Sequence, residues 1–65
     1  MTTPLEKARR AYIKNRTKWW RTGEDKVPAR IAKQLAEEDW ETCLENQGAE
    51  WCISHTEHWK NGGDQ

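Results

Sequence analysis

Apolar residues recur along this chain at helical spacing, and no stretch alternates with the period of a strand. At about 100° per residue, Leu5, Ala8, Tyr12 and Trp19 fall on one stripe of a first helix, with Ile13 and Trp20 flanking it. Thr3-Pro4-Leu5-Glu6 reads as an N-cap, a proline at the first helical position and a capping-box glutamate. Gly23 is the candidate C-cap. Helix 1 is therefore expected over about 4–22. Glu24-Asp25-Lys26-Val27 is the turn, and Pro28 opens helix 2, expected over about 28–47.

Helix 2 is built of strong helix formers. Its apolar arc is wide: Ile31, Ala32, Leu35, Ala36, Trp40, Cys43 and Leu44. Glu37, Glu38, Glu41 and Glu45 occupy the other side. An arc of that width suits two neighbours. Gly48 either ends helix 2 or lies within one longer helix. A last helical stretch, a third helix or an extension, is expected over about 49–61, with Trp51, Cys52, His55, His58 and Trp59 on one side and Ile53 pointing away. Gly62-Gly63 stops it, and the tail beyond is expected to fray.

The pattern predicts one small all-α domain over 1–65, a helical hairpin of two or three helices. Leu, Ile, Val and Phe together supply only 7 of 65 residues, so five Trp must provide much of the core or of a contact surface. A core this small is marginal on its own. Homodimerisation into a small helical bundle, through Trp-rich faces, is the expected remedy.

Charge is segregated. Residues 1–34 hold ten Lys/Arg against Glu6, Glu24 and Asp25, a net +7, and residues 35–65 hold Lys60 against eight acids, a net −7. Lys7, Arg10, Lys14, Lys18 and Arg21 form a stripe almost opposite the apolar face of helix 1. Arg9 and Arg16 fall near the apolar flanks, and Asp39 lies within the apolar arc of helix 2, so an inter-helix charge contact is expected.

Three kinds of chemistry follow from these residues. The basic stripe Lys7, Arg10, Lys14, Lys18 and Arg21, next to Trp19 and Trp20, suits phosphates and bases. The acidic second half and the zero net charge count against it as the leading function. Cys43, Cys52, His55 and His58 have the types and number that zinc takes. However, Cys52-x2-His55-x2-His58 spreads its members over about 120° of a helix. No metal and no cofactor are expected. Catalysis finds no nucleophile beside a base and no Gly-rich loop before a helix, so the chain reads as non-enzymatic.

Protein binding leads. Trp and Arg are the usual anchors of protein interfaces, and the candidates are Trp20, Trp51, Trp59 and Arg21, with Glu41 and Glu45 on the acidic face. In style the chain resembles small accessory proteins of bacteriophages or mobile elements: short, Trp-bearing, highly charged and without an enzyme motif. That resemblance implies a protein that inhibits or redirects a macromolecular target, with a nucleic-acid-binding regulator as the alternative. No apolar run reaches the length of a signal-peptide core or a membrane span. A cytoplasmic location, with reduced thiols, is expected.

Overall fold

Local rules set the ends of each helix. In the computed structural model, which describes residues 3–60, α1 covers Pro4–Thr22. The Thr3 hydroxyl accepts the Glu6 N–H at 3.1 Å, so one of the four orphan donors of the first turn is satisfied. Gly23 follows as C-cap in extended backbone. A Cβ there would lie 2.9 Å from the Trp19 carbonyl oxygen, which is why the position favours glycine. The turn closes with Lys26 N–H to Gly23 O (3.2 Å) and Val27 N–H to Trp20 O (3.1 Å). Lys26 takes the left-handed region, with φ 47.

Helix α2 covers Ala29–Gln47, one residue later than the proline suggested. Pro28 is the N-cap, and its carbonyl receives the Ala32 N–H at 2.7 Å. Gly48 ends α2 and caps α3 (Ala49–Ser54). This resolves the choice left open at Gly48: the chain turns there. The last stretch is not one helix. It breaks at His55 and resumes as α4 (Thr56–Lys60). At the break the Cys52 carbonyl receives the His55 N–H at 3.2 Å and the Thr56 hydroxyl at 3.2 Å, while Ser54 Oγ donates to Trp51 O at 2.9 Å and His55 Nδ1 to the same oxygen at 2.8 Å. Asn61 and the glycine stop lie outside the described residues.

The protein is all-α, with no strand among the described residues. Helix α1 packs against α2, α3 and α4. Its contact with α2 is made by small residues: Ala8, Ala32 and Ala36 are fully buried. Alanine lets two helices approach closely and has no side-chain rotamer freedom to lose. Ile13 and Trp40 are the large buried side chains, and Cys52 of α3 completes the core. Leu5, Tyr12, Cys43, Leu44 and Trp59 pack on it half-buried.

Aromatic geometry joins the short helices to the long ones. The Tyr12 ring lies 5.6 Å from Trp40 and meets Trp59 edge-on at 4.9 Å. Trp40 and Trp59 meet nearly perpendicular at 6.3 Å. Pairs of this kind contribute about 0.5–1.5 kcal/mol each beyond the area they bury. Asn15 Nδ2 donates to the Trp59 carbonyl at 3.3 Å, pinning α4 on α1. Ile31, placed in the apolar arc by the helical wheel, is instead exposed, because α1 covers the Ala32–Ala36 side of α2.

Gly48 gives a direct test of this turn. Its φ 96 and ψ 159 fall in a region open essentially to glycine alone, although nothing lies within 4 Å of where a Cβ would stand. Gly48→Ala is therefore expected to cost about 1–3 kcal/mol through the backbone alone, read by urea denaturation. A neutral substitution would mean that α2 runs on into α3.

Candidate interaction surfaces

The tryptophan pair at the end of α1 divides into one inward and one outward ring. Trp20 is half-buried, and its indole N–H donates to Asp39 Oδ2 at 3.0 Å. The same oxygen receives Arg16 Nε at 2.9 Å. Tyr12 Oη donates to the Asp39 backbone carbonyl at 3.5 Å. Asp39 is thus the point on α2 where three side chains of α1 converge. The expected charge contact forms with Arg16; Arg9 stays exposed. Both side chains of the ion pair keep about a third of their surface in water, 37% and 30%, so its strength is that of a partly screened pair.

Trp19 faces out, with 52% of its surface exposed. It is nevertheless held. Trp20 meets it edge-on at 4.9 Å, and the Arg16 guanidinium lies 4.4 Å from its ring centroid. The helical wheel assigned these two rings the opposite way, with Trp19 in the apolar stripe and Trp20 at its edge. Two contacts account for this: Asp39 takes the Trp20 N–H, and the short helices stop before Trp19. Helix α4 covers Tyr12 and Asn15 on that side of α1, and Trp19 lies one turn beyond. Next to the pair, a cavity of ≈ 180 Å³ is lined by Trp19, Trp20, Gly23, Glu24 and Asp25.

Among the other candidate anchors, Trp59 packs half-buried on the core, whereas Trp51 is exposed at 37%. Trp51 stacks on His55, with centroids 3.8 Å apart and planes 22° apart. Because a carbonyl can only accept, His55 Nδ1 carries the proton in its bond to Trp51 O.

Cys43 and Cys52 face one another between α2 and α3, and neither histidine joins them. No group of three or more His, Cys, Asp or Glu is placed to hold a metal ion among the described residues. Burial, and then the neighbouring Cys43, pushes the Cys52 thiol from 9.0 up to about 11. Burial also pushes the Tyr12 phenol upward.

The basic stripe is partly a groove. Arg10, Lys14, Lys18 and Arg21 line a cleft of ≈ 960 Å³ between α1 and α2, joined by Arg9 and by Lys33 of α2. Lys7 stays exposed outside it. Lys33, exposed on α2, was missed by the sequence reading because it joins the cleft only through the packing of α1 on α2. Glu41 and Glu45 line a second hollow, of ≈ 620 Å³, with Glu38. No helix of the described residues is long and apolar enough to cross a membrane.

The two thiols should respond differently to alkylation. Cys52 is fully buried and held protonated, so mass spectrometry at neutral pH should find iodoacetamide on half-buried Cys43 well before Cys52. Both raised groups bind their protons more tightly when folded. Their contribution to stability is complete below the ordinary values and is lost as pH rises through the folded-state ones. Stability should therefore fall between pH 9.0 and about 11. Simultaneous labelling of both thiols at neutral pH would contradict this packing.

Comparison with known proteins finds no matching family model, no similar curated protein and no similar solved structure.

Proposed function

We propose that this chain is a non-enzymatic protein-binding module, a helical hairpin that self-associates and acts by occupying a macromolecular target, in the manner of a phage-type accessory protein that inhibits or redirects it. One observation carries the reading: Trp19 and Trp51 are exposed yet held in place, the first by Arg16 and Trp20, the second by His55. An exposed ring that is already ordered loses little rotamer freedom on binding and buries a large area. Trp51 belongs to the anchors expected from the sequence. Trp19 takes the place of Trp20, whose N–H is engaged by Asp39.

A second reading, a nucleic-acid-binding regulator, is favoured by the cationic cleft between α1 and α2. It has less support, because the exposed indole nearest in sequence, Trp19, does not line that cleft.

Pull-down from a nuclease-treated cell extract separates the two. A captured protein should survive nuclease and be lost, by at least about tenfold in affinity (about 1.4 kcal/mol), on Trp19→Ala or Trp51→Ala, with Lys14→Glu having less effect. Capture that depends on nucleic acid and on Lys14, but on neither indole, would replace this reading with the second.

A further inference from the structure

The cationic cleft and the acidic hollow are two parts of one flank. Both are bordered by Arg9. On one side of it the cleft gathers Arg10, Lys14, Lys18, Arg21 and Lys33, with Glu37 the one acid in its lining. On the other side stand Glu38, Glu41 and Glu45, with Trp40 and Leu44 beneath them. The series Lys33, Glu37, Glu41, Glu45 winds round α2 over about 120° and changes sign after its first member. Six cations of the basic half and Glu37, Glu38, Glu41 and Glu45 of the acidic half thus stand side by side along the seam of the two long helices.

A surface that is positive at one end and negative at the other is complementary to itself. A half-turn about an axis through the boundary near Arg9 lays each cleft over the acids of the other copy, twice at once. That is the isologous contact of a two-fold dimer. We propose that this flank is the homodimer interface, with a second copy of the chain as its occupant. The proposal rests on the self-association stated above and assigns its surface to the charged seam instead of the Trp-rich faces. Charge complementarity favours this occupant over nucleic acid, because a polyanion filling the cleft would run against the neighbouring acidic row. Net neutrality leaves no overall repulsion between copies. Leu44, half-buried, is the apolar residue of this flank that a second copy could cover further. A standard interface takes about 800 Å² per partner, a modest share of the 5049 Å² accessible surface of the chain. Trp19 lines neither cleft nor hollow, so it stays available to a target in the dimer.

Sedimentation equilibrium on the full chain tests the assignment. Raising salt from about 0.05 to about 0.5 M shortens the screening length from above about 10 Å to below about 5 Å, so the dimer constant should weaken at least about tenfold. Two charge-reversed variants, Lys14→Glu with Arg21→Glu and Glu41→Lys with Glu45→Lys, change exposed side chains, and circular dichroism checks that each stays helical. Each alone should be monomeric where the natural chain is dimeric. Mixed in equal amounts they should form a heterodimer. A dimer indifferent to salt and to both variants would leave self-association standing but overturn this surface. A monomer at low salt would overturn both. A monomer whose cleft binds a short oligonucleotide, with binding lost in the Lys14→Glu, Arg21→Glu variant, would give the cleft to nucleic acid.

Discussion

A single carboxylate sets how the two long helices meet. Asp39 stands at the edge of the core-facing side of α2, with 30% of its side chain still in water. It is stabilised by Arg16 and Trp20 on one oxygen, while Tyr12 reaches its backbone. These three donors lie on successive turns of α1. Their convergence fixes the slide and the rotation of α1 on α2 together. Because each donor belongs to a different turn, a slipped register would strand at least one of them. The half-exposed ion pair adds only modest stability. Its larger consequence is specificity, since it decides which ring of the Trp19–Trp20 pair turns inward.

The remaining packing follows from that register. With few aliphatic residues, the core uses alanine where helices must approach and aromatic rings where space remains. Ala8, Ala32 and Ala36 bring the long helices together, and Tyr12, Trp40 and Trp59 fill the angle left for α3 and α4. The short helices could not stand alone, being far below the length at which isolated helices persist. They are held by the Tyr12–Trp59 contact, the Asn15 bond and the buried Cys52. Their short reach leaves Trp19 outside.

What could be read in the sequence was what is local. Thr3-Pro4 and Gly23 bounded α1 because caps depend on a few neighbouring residues. Glycine at 48 allowed a turn, but only the backbone there, at φ 96, resolved whether one is made. The Arg16–Asp39 pair was legible as two charges left near apolar faces. The Trp19–Trp20 assignment was not, because the Asp39 contact that takes the Trp20 N–H and the short reach of α4 that leaves Trp19 uncovered are tertiary facts that the helical wheel does not contain. The cleft was half legible. Its α1 side was visible as a stripe, but Lys33 joins it only once α1 and α2 are packed. The His55 break was hidden for a different reason: the Thr56 hydroxyl and the His55 N–H both bond the Cys52 carbonyl, a local competition that the apolar pattern does not show.

Inward Trp20, held by Asp39, is what makes outward Trp19 available, and the proposed division of labour between a charged flank and exposed rings depends on it. The indole N–H resonances of the tryptophans report on this directly. The Trp20 N–H should exchange with solvent more slowly than that of Trp19, and Asp39→Ala should shift the Trp20 signal most and remove its protection. If Trp20 and Trp19 exchange equally fast and Asp39→Ala leaves both unmoved, Asp39 does not hold the helices in this register.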